Sequence, residues 1–187
     1  MSRLISLMNI SLDGCINARD QSLEWQLIDE ELHTYFNQLC APVGGFIYGR
    51  KMYELMAAFW PIADQDPSNP DYIIEFARLW QRVPKTVVST TMTEAPPGYS
   101  LIRDNVAAEV AALKAASDDD LMVGGPTITH HLARHGLVDV YQLFFHPVLI
   151  GSGEPMFGPR DDLTRLRLTD HRRFGSGVVY LEYQVAH

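Results

Sequence analysis

Near the middle of the chain, Asp120-Leu121-Met122-Val123 runs directly into Gly124-Gly125-Pro126-Thr127-Ile128. An apolar strand that ends in paired glycines and then opens a helix leaves bare backbone N–H groups free to meet a phosphate. The helix N-terminus adds a partial positive charge, and Pro126 suits a first helical position, where no N–H is lost. By local pattern alone the glycine pair fits a purely geometric turn equally well. Two further segments of the same form favour a nucleotide. Tyr48-Gly49-Arg50-Lys51 ends a strand and opens a helix with two cations, and Val88-Ser89-Thr90-Thr91 ends a strand with three hydroxyls. In α/β sheets ligands collect at the carboxyl ends of strands. Cations and hydroxyls there suit a 2′-phosphate, and the glycine pair suits a pyrophosphate. The G-x-G-x-x-G fingerprint of an ordinary Rossmann dehydrogenase is absent.

The elements that would position these groups follow from periodicity. Residues 3–10 read as a buried strand ending at Ser11-Leu12-Asp13-Gly14. Ile28, Leu32, Tyr35, Phe36 and Leu39 give Leu27 to Leu39 one apolar helical face. Phe46-Ile47-Tyr48 is a short strand, and Arg50 to Phe59 is a helix stopped by Pro61. Ile62 to Asp71 is a surface loop, and Asp71 caps a helix running through Trp80. A strand at 85–89, a short strand at Leu101-Ile102 and an Ala-rich helix at 105–116 precede the central strand. The helix after the glycine pair runs to His135 and stops at Gly136. Val138 to Ile150 is a long apolar strand interrupted near Pro147, and strands near 163–170 and 177–185 flank the Gly175-Ser176-Gly177 turn. Strands alternating with helices, then consecutive strands, predict one α/β domain over 1–187 whose sheet finishes in an antiparallel hairpin.

Composition narrows the partners. The 187 residues are 47% apolar and 20% charged, with a formal net charge of −8 and 15 Lys and Arg. No basic run exceeds Arg172-Arg173, which argues against a nucleic-acid footprint. The sequence has neither a signal-peptide pattern nor an apolar run long enough for a membrane helix. Cys15 and Cys40 form no Cys-x-x-Cys pair, and the expectation is a reduced, cytoplasmic protein.

Taken in order, these segments resemble the dihydrofolate reductase-like fold. Within it they look most like the C-terminal reductase domain of the bifunctional riboflavin-biosynthesis deaminase–reductase and its stand-alone relatives. The resemblance rests on Ser11-Leu12-Asp13-Gly14, Gly49-Arg50-Lys51-Met52-Tyr53-Glu54, Val87-Val88-Ser89-Thr90 and Val123-Gly124-Gly125. It rests also on Gly136-Leu137-Val138-Asp139 leading into His146-Pro147-Val148-Leu149-Ile150-Gly151-Ser152-Gly153-Glu154-Pro155-Met156-Phe157. It implies a three-layer α/β fold with a mixed, mainly parallel sheet, and NADPH as cofactor. Arg50 and Lys51, after Gly49, would meet the 2′-phosphate or pyrophosphate, Ser89 and Thr90 the adenosine end, and Gly124, Gly125, Pro126 and Thr127 the pyrophosphate. It also implies a glycine pair often joined by a cis peptide, a homodimer paired through late strands, and hydride transfer to a small pterin-, pyrimidine- or flavin-like substrate.

The family resemblance directs attention to an acid after a Trp, and Trp25 precedes Asp29-Glu30-Glu31. Helical spacing favours Glu31, three residues after Ile28 and four before Tyr35, as a carboxyl at an apolar edge whose pKa is raised. The competing expectation is three solvated first-turn acids. Asp13, at the end of the first strand, is the second catalytic candidate, against an Asp-Gly turn. This chain has Cys15 where the riboflavin branch has Arg, lacks a basic cluster for a ribose phosphate, and has no segment resembling the deaminase half. These departures favour a stand-alone relative with another substrate. A non-catalytic nucleotide-binding protein and a true dihydrofolate reductase are the alternatives. His131 and His135 sit four apart without a third ligand, so no metal site is expected.

Overall fold

The alternation of apolar runs with amphipathic stretches yields ten strands and five helices in the computed structural model, which describes residues 2–158 and 163–186. The strands are β1 (Leu4–Ser11), β2 (Cys15–Asn17), β3 (Gly45–Gly49), β4 (Lys85–Val88), β5 (Ser100–Ile102), β6 (Leu121–Gly124), β7 (Val140–His146), β8 (Glu154–Pro155), β9 (Leu166–Arg173) and β10 (Val179–Val185). The helices are α1 (Glu30–Cys40), α2 (Arg50–Ala57), α3 (Asp71–Arg82), α4 (Val106–Ala116) and α5 (Pro126–Arg134).

One eight-stranded sheet has the order β5-β4-β3-β6-β1-β7-β10-β9. Its first six strands pair in parallel, and β7, β10 and β9 pair antiparallel, giving the expected closing hairpin. Side chains alternate across each strand, so the sheet separates two apolar layers. Leu4, Met8 and Ile10 of β1 and Val123 of β6 pack with Val110 of α4 and Ile128 and Leu132 of α5. On the other face Ile5 and Met122 join Phe76, Leu79 and Trp80 of α3, with Met52, Tyr53 and Met56 of α2 packed against them. Leu32 of α1 lies on that face too, over Phe144 of β7 and Tyr180 of β10.

Several boundaries differ from the sequence expectation. The first helix begins at Glu30, because Asp29 caps it by accepting from the Leu32 backbone N–H. Leu27 and Ile28 therefore lie outside it and are 46% and 43% exposed. Asp71 is the first residue of α3 and Pro70 holds the cap position. The strand expected over 138–150 ends at His146, where Pro147 removes a donor. The loop after α2 contains a 3-10 turn at Ala63–Gln65 with Ala63 buried. Among the described residues no helix is long and apolar enough to cross a membrane.

Candidate functional site

Because β3, β4, β5, β6, β1 and β7 run parallel, their carboxyl ends line one edge of the sheet. Neighbouring strands β3 and β6 send their following helices, α2 and α5, to opposite faces. That arrangement opens a crevice at the strand ends. Two bare backbones meet there. A Cβ on Gly124 would stand 3.0 Å from Tyr48 Cδ1, and one on Gly125 would stand 3.5 Å from Met52 Cβ and 3.8 Å from the Gly49 backbone nitrogen. Gly125 has φ +105, which side-chain-bearing residues rarely adopt. No side chain caps α2 at Gly49 or α5 at Gly125, and Pro126 occupies the first turn of α5. Two positive helix ends with unsatisfied N–H groups thus adjoin, an arrangement suited to a pyrophosphate. Gly124 and Gly125 are buried, Pro126 is half-buried, and Thr127 is exposed at the rim. The expected cis junction is not present: every described peptide bond is trans.

The cation and the hydroxyls also converge. Arg50 Nη1 donates to Thr91 Oγ1 at 3.0 Å, while its Nε pairs with Glu54 at 3.0 Å. Ser89 Oγ accepts from the backbone N–H groups of Thr91 and Met92, so this buried hydroxyl shapes the turn. Thr90 and Lys51 are exposed. Thr91, the last of the three hydroxyls at this strand end, receives Arg50. Arg103, which sequence reasoning left out, follows Ile102 at the end of the neighbouring strand β5, and the Ile102 carbonyl accepts from the Ser89 N–H at 3.0 Å. A lone cation directly after a short strand was the available signal for Arg103.

The two acids are placed otherwise than expected. Glu31 is exposed on the outer side of α1, with Oε1 on Arg172 (2.9 Å) and Oε2 accepting from the Gly175 N–H (3.0 Å). The Gly175 N–H and then Arg172 hold its carboxyl below the usual range, opposite to the raised value expected of a proton donor. The apolar edge predicted for it depended on Ile28 lying in the helix, which it does not. Asp13 accepts from Ser11 Oγ (2.6 Å), the Ile150 N–H (3.1 Å) and the Gly151 N–H (2.7 Å). Those donors, Ser11 first, pull its carboxyl down to about 2. Asp13 clasps the loop after β1 to the segment after β7, and the small β2–β8 sheet continues that clasp.

A polar group outside the expected site residues sits at the ends of β1 and β7. His146 is fully buried; its Nδ1 accepts from the Leu27 N–H (3.0 Å), which leaves Nε2 to donate to Asn9 Oδ1 (3.0 Å). Asn9 Nδ2 donates to Gln26 Oε1 at 3.2 Å, and Trp25 meets the imidazole edge-on at 5.4 Å. Burial pushes the imidazole down to about 4, so it stays neutral and anchors the segment before α1. His131 and His135 face each other at 4.6 Å between ring centroids, and among the described residues no group of three potential metal ligands occurs.

Residues 3–180 match the sequence profile of the RibD C-terminal domain. The uncharacterized protein YyaP of Bacillus subtilis (strain 168) is 30% identical over 182 residues, covering 97% of this chain and 94% of YyaP. A solved structure from Shewanella sp. PV-4, whose name ties it to riboflavin biosynthesis, superposes with a TM-score of 0.76 at 21% identity over 99% of both chains. The diaminohydroxyphosphoribosylaminopyrimidine deaminase/5-amino-6-(5-phosphoribosylamino)uracil reductase of Thermotoga maritima gives a TM-score of 0.68 at 13% identity, over 99% of this chain and 57% of that one. These likenesses fix the fold as that of the riboflavin-biosynthesis reductases and their dihydrofolate reductase-like relatives.

Proposed function

The chain belongs to the RibD C-terminal domain family, and from that premise we propose that it is an NADPH-dependent reductase acting on a small heterocycle. The observation that carries this reading is the meeting of two side-chain-free backbones, at Gly49 and at Gly124-Gly125, beneath two uncapped helix ends. The residues present fit a dinucleotide: Gly124 and Gly125 leave the space a Cβ would fill, and Arg50, Thr91 and Arg103 gather cations and a hydroxyl at the adjoining strand ends. NADPH, when bound, supplies the hydride. The α2 and α5 N-termini would hold its pyrophosphate, with Thr127 at the rim. Arg50, with Lys51 and Arg103 beside it, would read the 2′-phosphate, and Ser89, Thr90 and Thr91 would border the adenosine. Asn9 and Gln26, fixed by neutral His146, would orient the ring that is reduced. Because Asp13 and Glu31 keep their charges, this reading assigns the proton to solvent water at the cleft mouth. The Thermotoga maritima reductase, named for a phosphoribosylamino-uracil, supports a pyrimidine-like ring as the reacting part. In this reading the protein pairs as a homodimer through the exposed edge strand β9 and works in the cytoplasm, where Cys15 and Cys40 would stay reduced.

The engagement of both candidate acids favours one other reading, a nucleotide-binding protein without turnover. Thermal melts with NADPH, with NADH and without ligand test the shared premise, followed by NADPH oxidation with pyrimidines and pterins. A hundredfold excess over Kd stabilises the folded state by about 2.7 kcal/mol. NADPH is expected to raise the melting temperature more than NADH; no shift with either sinks both readings. A shift without turnover of any ring leaves only the second.

A further inference from the structure

Resting on the reading of this crevice as a reductase site, we infer that Gln26 is the residue that reads the edge of the reacting ring. It does so as a hydrogen-bond donor, because His146 and Asn9 fix which way its amide points. Strand register gives the placement. Ser6 of β1 is level with Val123 of β6, so Leu7 is level with Gly124, where β6 ends. β1 continues to Ser11, and Asn9 stands two residues past the end of β6, about 7 Å further along the strand. Alternation puts Asn9 on the same face as Leu7, toward α1 and α2, and it is half-buried there. Its flank toward β6 therefore opens where the Gly124-Gly125 junction turns away into α5 on the opposite face. Gln26, also half-buried, meets Asn9 at 3.2 Å.

The direction of every hydrogen bond in this chain of side chains follows from one backbone group that can only donate. The Leu27 N–H meets His146 Nδ1 at 3.0 Å, so Nδ1 carries no proton. Burial keeps the imidazole neutral, and its single proton is then on Nε2. Nε2 lies 3.0 Å from Asn9, which must answer with its acceptor, Oδ1. Asn9 Nδ2 is thereby turned to Gln26, which must answer with Oε1. The Gln26 NH2 group is left at the outer end, with no partner among the described residues. An unrestrained amide turns over to offer a donor or an acceptor as its ligand requires. Here turning Gln26 over would set its NH2 against that of Asn9 and lose their bond. The ring therefore meets a fixed donor, which accepts an exocyclic carbonyl and rejects an exocyclic amino group, since two donors would face each other out of water.

The test measures, by calorimetry on the NADPH-loaded protein, the binding of 2,4-dioxopteridine and 2,4-diaminopteridine at a pH where both rings are neutral. The dioxo ring is expected to bind at least about tenfold tighter. Gln26→Met removes the donor and should bring the two rings within about threefold of each other by weakening the dioxo ring. Asn9→Leu keeps Gln26 but frees it to turn over, and should tighten the diamino ring at least about fivefold. A merely structural Asn9 would instead weaken both rings or neither. Equal or tighter binding of the diamino ring by the wild type, no binding of either ring, an unchanged preference in Gln26→Met, or no gain for the diamino ring in Asn9→Leu overturns the proposal. NADPH binding is read separately by thermal shift. If NADPH raises the melting temperature and the rings are not discriminated, only the assignment of Gln26 fails; if NADPH gives no shift, the reductase reading fails with it.

Discussion

At the scale of single residues, the charged groups that looked reactive are mostly fasteners. Glu31 joins α1 to β9 through Arg172 and to the following turn through the Gly175 N–H. Glu31→Gln should therefore leave kcat within about twofold while lowering the melting temperature, since a group outside the reacting centre contributes little to the transition state. A fall of about a hundredfold in kcat at unchanged NADPH affinity would return Glu31 to the mechanism. Lys85 is the less ordinary titratable group. It is 4% exposed, donates to the Val83 carbonyl at 2.7 Å and lies 4.3 Å from the Trp80 ring centroid. Burial pushes its ammonium down to about 8 from 10.5. Between those values the unfolded chain holds more protons than the folded one, so stability rises with pH there, and below about 8 the full cost of the buried charge is present. Lys85→Met should raise the melting temperature at pH 7 and flatten its rise from pH 8 to 10.5. A lower melting temperature at pH 7 would mean that the ring and carbonyl contacts outweigh burial.

At the scale of elements, the site is a product of where helices begin. The β3–α2 and β6–α5 junctions place two glycine-lined helix starts side by side, and at the second both glycines have a reason to lack side chains. Gly124 lies against the Tyr48 ring, and Gly125 takes a left-handed φ beside Met52 and the Gly49 nitrogen. Gly125→Ala should thus weaken NADPH binding at least about tenfold, through backbone strain of order 1–3 kcal/mol at the junction. Circular dichroism should stay native, because the glycine sits at an element boundary and not inside the packed layers. Unchanged affinity in a folded variant would show that the phosphates lie elsewhere. The segment before α1 obeys a different control: His146 accepts the Leu27 N–H, so an apolar stretch that reads as helix is held outside it.

At the scale of the whole molecule, the sheet has one short edge, β5, and one long edge, β9, whose eight residues are all exposed. A long bare edge invites pairing with another strand, and Leu166 and Leu168, 40% and 47% exposed, add apolar surface to it. The homodimer proposed above would form there. Leu168→Glu should then shift sedimentation from dimer to monomer without unfolding the chain; a variant that remains dimeric moves the interface to another face. The sequence by itself determined the order of the five helices and of the eight strands of the main sheet, its closing hairpin, and the three strand ends carrying Gly49, Ser89 and Gly124; the small β2–β8 pair it did not show. Hydrophobic periodicity and glycine placement are local properties, and the chain carries them in plain view. The tertiary structure alone decided what the acids do. A carboxylate's role depends on the donors that surround it. Asp13 takes one donor from nearby Ser11, but its other two come from Ile150 and Gly151, and those of Glu31 from Arg172 and Gly175, more than a hundred residues away. For the same reason the pairing of His146 with Asn9 could not be read in sequence: it exists only where the ends of β1 and β7 are brought side by side.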